Sequence, residues 1–426
     1  MGSIANILKK PIVKISSLNG VSVIVRILGG LVTSKAIAAY VGPGGMAIIE
    51  NLRSFLTPVE TYSMLGMQNG IIKYVAEYQK DEEKLYKILS TVFLSIFAVV
   101  IGLSILLLLL SGYCSEWIFR DYYEYAWVFK VLGFSLPWYA GSLLFIAILN
   151  GLGNYKQVIW LNISGNVLGV VLSVLLMWKF QTNGALLGLI LFQSVFFVLT
   201  FYSIWKRFPR LPFIRIKYFD KATLRDLLSY SIMALFSALV APLVSIFIRN
   251  NLIDNFSLDT AGMWVAMNRI SSYYMMFATT MLSVYFLPKL SVAQSKGQTR
   301  DVFLSYYRSM LPLFGTGMIL LYLLREFAVL FILKEDFLPV TDLFFWQLTG
   351  DFFKVGALIL GYQFFAQKLT TAYLVSEAVS CIILYISSTI LIAHFGVKGA
   401  VMGHALTYFI YWIMLAVYFR KGLFNI

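Results

Sequence analysis

Cysteine and histidine are almost missing from this chain: its 426 residues hold two of each. Cys114 and Cys381 sit far apart in apolar surroundings, which excludes a disulfide framework, and no C-x-x-C pair offers a zinc or redox site. His394 and His404 stand apart from each other and from any acidic cluster, so no metal centre is legible. Both are expected to pack at helix ends or in partly buried polar niches. Charge is scarce as well, at 13% of residues. The absence of a G-x-x-x-x-G-K-[ST] run removes P-loop ATP hydrolysis, leaving an ion gradient or the substrate's own gradient as the energy source. The connections near 112–125 and 251–261 are short and carry no acid/base or metal constellation. A polymerase or glycosyltransferase would need one, so an enzyme is not expected, and no cofactor is expected either.

What is abundant is hydrophobicity. Apolar residues make up 60% of the chain and the mean hydropathy is +0.80, which places it among all-α integral membrane proteins. Windows long enough to cross a bilayer fall near 18–41, 46–68, 90–111, 126–149, 156–178, 184–205, 228–250, 262–286, 304–325, 341–366, 372–393 and 398–420. Twelve transmembrane helices follow, with Pro312 expected to interrupt the ninth. The first window exceeds a signal-peptide core and lacks a small-residue cleavage site, so it reads as a retained anchor.

Lys and Arg sort to one side. One set of loops holds 22 of the 34 basic residues, including Lys9, Lys10, Lys14, Arg210 and Lys421, whereas the opposite loops hold Arg120, Lys179, Arg249, Arg325, Lys334 and Lys398. By the positive-inside rule both termini are cytoplasmic. The net charge of +14 then reflects topology and attraction to anionic lipid, and it is no sign of nucleic-acid binding.

The two halves resemble each other in register. Gly45-Met46 with Asn51 matches Gly262-Met263 with Asn268, Gly133 matches Gly350, and Gly184-Ala185 with Gly188 matches Gly399-Ala400 with Gly403. The shift is 217 or 215 throughout. Six spans per half is an even number, so the repeat is parallel about an axis along the membrane normal. The expected lobes are residues 1–210 and 211–426, joined by a basic cytoplasmic linker at 206–225.

Polar stripes interrupt several spans. Gln347, Asp351 and Lys354 lie at i, i+4 and i+7 and share one face of the tenth. In the second, Glu50, Arg53, Thr57, Glu60 and Thr61 recur at helical spacing, and Glu50 and Arg53 are placed to pair. Arg26 marks the first span, and Asn268, Ser272, Thr279 and Ser283, with Arg269 adjacent, mark the eighth. Ionisable groups in hydrocarbon are expensive and mark function by default. Arg26, Arg53, Glu50, Asn268, Arg269, Gln347, Asp351 and Lys354 are therefore the candidate cavity residues. A basic, hydroxyl-bearing lining suits a phosphorylated, hydroxyl-rich head group.

Three tracts carry a family likeness. Trp346-Gln347 through Gly350-Asp351 and Lys354-Val355-Gly356 resembles the W-Q-x-x-G-D-x-x-K-V-G signature of the polysaccharide-type flippases. These flippases belong to the multidrug/oligosaccharidyl-lipid/polysaccharide exporter superfamily. Ser283-Val284-Tyr285-Phe286-Leu287-Pro288 is similar to that family's S-V-Y-x-L-P tract. Asn69-Gly70, Lys73-Tyr74-Val75-Ala76 and Tyr78 are similar to its N-G-x-x-K-Y-V-A-x-Y tract. The strongest likeness is to the O-antigen translocase group, which includes the common-antigen (lipid III) flippases.

The resemblance implies a V-shaped exporter fold that alternates access in the bacterial inner membrane. It would move an undecaprenyl-diphosphate-linked oligosaccharide, such as an O-antigen repeat unit, from the cytoplasmic to the periplasmic leaflet. Arg53 and Lys354 would engage the diphosphate or sugars, with a proton or sodium gradient for coupling. Membrane lipids and glycan polymerase machinery would be partners, and the chain would act as a monomer. A multidrug or cation antiporter of the same superfamily is the alternative.

Overall fold

The computed structural model describes residues 11–120, 123–207, 215–228, 231–293 and 295–420. Lys9, Lys10, Arg210 and Lys421 of the basic loops lie outside the described residues, as do linker residues 208–214. All regular elements among the described residues are helical. Within hydrocarbon every backbone N–H and C=O must find its partner in its own segment, and helices achieve this without edges.

Two compact units form, Met1–Tyr40 with Asn51–Leu239, and Val41–Glu50 with Val240–Ile426. Through the first unit run α1 (Pro11–Tyr40), α2 (Gly42–Ser63), α3 (Gln68–Tyr78), α4 (Glu82–Leu109), α5 (Ser111–Phe119), α6 (Ala126–Gly151), α7 (Tyr155–Arg207) and α8 (Lys221–Leu228). The opening residues of α2, Gly42–Glu50, belong with the second unit. The chain continues through α9 (Ile232–Asn255), α10 (Leu258–Met281), α11 (Leu287–Val292), α12 (Lys296–Leu323), α13 (Arg325–Ile332), α14 (Phe344–Ala366), α15 (Thr370–Phe395) and α16 (Val397–Tyr418).

Nine helices among the described residues are long and apolar enough to span a membrane. They become ten if α12 and α13, bent by 80°, are one broken span. The fifth and sixth windows share α7, which breaks at Gln181, where φ is 50° and ψ −125°. The second window forms α2, which its glycines, prolines and polar residues, among them Glu50, Asn51 and Arg53, leave less apolar than those nine. The expected break at Pro312 is corrected: α12 runs through that residue from Lys296 to Leu323. Proline removes one backbone bond, and a helix packed on its neighbours tolerates that loss.

Helix starts are set by local chemistry. Asp81 accepts the Lys84 N–H and precedes Glu82 and Glu83 at the head of α4. Ser257 accepts the Thr260 N–H at the start of α10, and Ser295 accepts the Gln298 N–H at the start of α12. Asp220 caps α8 by accepting the Thr223 N–H at 2.9 Å and the Thr223 hydroxyl at 2.6 Å. The linker docks on α4 at the same place, where the Asp220 N–H donates to Thr91 Oγ1 at 3.0 Å and Lys87 Nζ lies 3.6 Å from Asp220 Oδ2.

The glycine repeat becomes a packing device. A Cβ on Gly184 would stand 1.9 Å from the Leu176 carbonyl oxygen, and one on Gly399 would stand 2.2 Å from that of Leu391. Gly188 lies against Ser173 and Gly403 against Ser388 in the same way. Leu176 and Leu391, like Ser173 and Ser388, are themselves 215 positions apart. The two hairpins, α7 about its break and α15 with α16, thus use equivalent contacts, and only hydrogen fits at the crossing.

Aromatic girders then hold the second unit. Tyr306 OH donates to the Val355 carbonyl at 2.8 Å and Tyr307 OH to that of Gly356 at 3.0 Å, tying α12 to α14. Trp412 Nε1 of α16 donates to Tyr307 OH at 3.2 Å. These bonds set the rotation of α14, which packs against α10, α12, α15 and α16.

Candidate functional site: a buried polar cluster around Asp351

Asp351 has no exposed surface. Its Oδ2 accepts from Ser271 Oγ at 2.6 Å, from the Tyr274 hydroxyl, and from Gln347 Nε2 at 3.2 Å. Its Oδ1 lies 2.9 Å from His404 Nε2. Four donors from three helices therefore converge on one carboxylate, which is what an acid at this depth needs in place of water. Ser271 and Tyr274 are i, i+3 on α10, and Gln347 and Asp351 are i, i+4 on α14. His404 reaches the acid because α16 crosses α14 at Gly350, where a Cβ would stand 2.4 Å from His404 Cδ2.

Lys354 lies one turn further along α14, half-buried, with Nζ 4.9 Å from the centroid of the Tyr408 ring. The same ring sits 4.7 Å from that of His404, at an interplanar angle of 62°. Glu377 of α15, also half-buried, acts on Lys354 electrostatically. Tyr408 is thus shared between the imidazole and the ammonium.

The other candidates fall elsewhere. Glu50, placed by the sequence to pair with Arg53, meets Arg269 Nη2 at 3.7 Å within the second unit. Arg26 and Arg53 are exposed residues of the first unit. Asn268 Nδ2 donates back to the Trp264 carbonyl of its own helix at 3.1 Å. Ser272, Thr279 and Ser283 likewise bond carbonyls of their own helix. In the first unit, Glu60 accepts from the Tyr139 hydroxyl, which joins α2 to α6.

One correction follows. His404, expected as a packing residue, is the partner of Asp351 on the opposite helix. On α10 it is Ser271 and Tyr274 that meet Asp351, whereas Asn268, Ser272 and Thr279 bond carbonyls of their own helix. The i, i+3 spacing of Ser271 and Tyr274 was visible, as was the Gly350 beside Asp351, but neither says which helix comes to meet them.

A family model described as polysaccharide biosynthesis protein matches residues 13–294. The Lipid III flippase of Escherichia coli (strain K12) is 30% identical over 406 residues, covering 93% of this chain and 95% of that protein. The Lipid III flippase of Shigella flexneri gives the same figures. A solved multidrug resistance MATE family transporter of the MOP superfamily aligns with a TM-score of 0.81 at 13% identity, covering 93% of this chain and 94% of that one. The lipid II flippase MurJ aligns with a TM-score of 0.70 at 14% identity, covering 96% of this chain and 87% of that one. At such identities these two likenesses establish the fold alone. With a family model over most of its length and a relative matched nearly end to end, the chain belongs to the polysaccharide biosynthesis protein family, as a multi-pass membrane transporter and not an enzyme.

Proposed function

We propose that the chain is a lipid-linked oligosaccharide flippase. Its cargo is an undecaprenyl-diphosphate-linked repeat unit of the O-antigen or a related glycan, moved from the cytoplasmic to the periplasmic leaflet of the bacterial inner membrane. The observation that carries this reading is the 30% identity, over 93% of the chain, to a protein named for flipping lipid III. Twelve spans in two six-helix halves, 1–210 and 211–426, fit it. Dividing α7 at Gln181, joining α12 with α13 and including α2 brings nine to twelve. The basic loops keep both termini cytoplasmic.

Transport proceeds by alternating access in a monomer, driven by an ion gradient, and hands its product to glycan polymerase machinery. Positive charge for the diphosphate is available within each unit, from Arg26 and Arg53 in the first and from Arg269 and Lys354 in the second. Asn268 brings an amide group for sugar hydroxyls, Gln347 supports Asp351 from within the cluster, and Glu50 holds Arg269. The test is rescue of a host lacking its own flippase, with lipid-linked oligosaccharide measured on each leaflet. Wild type should clear the cytoplasmic pool, whereas Arg53→Glu and Lys354→Glu should leave it in place although both proteins insert. Full activity of both variants would overturn the basic-residue assignment. A multidrug antiporter shares this fold, so ethidium efflux without glycan synthesis is the outcome that would favour that alternative.

A further inference from the structure

Arg249, grouped with loop residues from the sequence, lies inside α9 and is 3% exposed. Its guanidinium sits 5.7 Å from the centroid of the Trp264 ring of α10, and Glu50 acts on it electrostatically. Glu50 also lies 3.7 Å from Arg269 Nη2. Two arginines therefore share one carboxylate within the second unit. The two sides of this cluster differ in access. The side chains of Arg269 and Glu50 are 11% and 26% exposed, whereas Arg249 is covered. The separation of 3.7 Å exceeds the roughly 2.7–2.9 Å of a charge-assisted hydrogen bond, so an arriving anion can come closer to Arg269 than Glu50 does. The backbone beneath Glu50 is fixed. A Cβ on Gly262 would stand 1.9 Å from the Pro43 carbonyl oxygen, and one on Gly44 would stand 2.8 Å from Asp259 Oδ1. Glu50, two turns beyond Pro43, can thus change partner by side-chain rotation without movement of the helix.

We propose that Glu50 is an internal counter-anion that occupies Arg269 in the empty transporter, and that Arg249 receives it when the substrate's diphosphate takes its place. The proposal rests on the flippase reading. A diphosphate carries more charge than a carboxylate and can engage both N–H groups of the guanidinium fork, so it displaces Glu50. A charge left alone at this depth is expensive. Glu50 avoids that cost by turning to Arg249, whose own buried charge needs an anion throughout. The exchange also works in reverse: Glu50 returning to Arg269 competes with the diphosphate and assists its release. Arg249 is then a positioning residue, which acts on the head group through Glu50 and makes no contact with it.

The test is a double-mutant cycle on the full chain in lipid nanodiscs, with binding of undecaprenyl diphosphate measured against undecaprenol as the uncharged control. Glu50→Gln should bind the diphosphate roughly tenfold more tightly, and Arg249→Gln should bind it more weakly by a similar factor. Arg249→Lys, which keeps the charge, should restore much of that loss. The double variant Glu50→Gln/Arg249→Gln should bind like Glu50→Gln alone, because without the carboxylate Arg249 has nothing to hold. In the leaflet-resolved assay Glu50→Gln should clear the cytoplasmic pool more slowly despite its tighter binding. A structural role would lower the melting temperature without this reversal of sign. Weaker or unchanged binding in Glu50→Gln overturns the proposal, as does an Arg249→Gln effect of equal size in both backgrounds, which would mean that Arg249 acts on the lipid directly. Where a single variant inserts poorly, the double variant, which removes both charges together, decides: binding no tighter than wild type overturns the proposal. If undecaprenyl diphosphate binds wild type no better than undecaprenol, the flippase reading falls and this proposal with it. If it binds without the expected sign pattern, the reading stands and the proposal alone falls.

Discussion

The imidazole of His404 occupies the place of a side chain that residue 350 does not have. A Cβ there would stand 2.4 Å from His404 Cδ2 and 2.9 Å from Ala405 Cα, so the contact between Asp351 and His404 depends on the glycine beside the acid. Gly350→Ala should push α16 outward and lengthen that contact. Overpacking of this kind costs about 1–3 kcal/mol, and transport should fall more steeply than stability because the cluster is misaligned before the helix melts. Thermal unfolding in detergent and leaflet-resolved glycan measurements on the same variant separate the two effects.

The glycines of the two hairpins make a matched pair. Gly184→Ala and Gly399→Ala each place a methyl group against a backbone carbonyl, at 1.9 and 2.2 Å, with no flexible side chain to yield. Both should lower the melting temperature by similar amounts, corresponding to about 1–3 kcal/mol. Gly361, with nothing within 4 Å of its Cβ position, is the control, and Gly361→Ala should stay within about 0.5 kcal/mol of wild type. Unequal effects at 184 and 399 would show that the two contacts are not equivalent.

Docking of the linker should respond to acid. The Asp220 carboxyl is held below its ordinary value of 3.8, first by the Thr223 hydroxyl and then by the Thr223 N–H, with Lys87 adding attraction. A carboxyl lowered in the folded state contributes stability above its ordinary value and loses it as pH falls through the folded one. Amide exchange of residues 215–228 should therefore accelerate below about pH 4, and Asp220→Asn should exchange rapidly at every pH. Thr223→Val, which removes the first cause, should move the acid transition to higher pH.

Glu60 should be replaceable by its amide. Tyr139 OH donates to Glu60, and a glutamine oxygen can accept the same bond. Glu60→Gln should keep insertion and transport near wild type. Glu60→Leu leaves a buried hydroxyl unpaired and should destabilise the protein by about 1–3 kcal/mol. Loss of transport in a stable Glu60→Gln protein would instead show that the charge itself is used.

Much of this molecule is written locally. Hydrocarbon admits only segments that satisfy their own backbone, so composition and window length are enough to establish a helical membrane protein. Near 156–205 two apolar windows mark one element, because a break at a single residue, Gln181, leaves the helical bonding on either side unchanged. The glycine offsets of 215 were legible for the same reason, since a close crossing tolerates only glycine wherever it recurs. Asp351 declared itself through the cost of a charge at that depth. Its partners did not. Ser271, Tyr274 and His404 lie 80, 77 and 53 residues from Asp351, and which helix face meets it depends on the rotation of α10 and α16. For α16 that rotation is set by packing at Gly350 and by the Trp412 bond to Tyr307, and no pattern along one helix encodes it. The sequence by itself determined that this chain spans a membrane as repeated helices with an acid and a base on one face. Only the tertiary structure decided that the acid's partner is a histidine, because the energy of a buried charge is settled by whichever donors reach it through space.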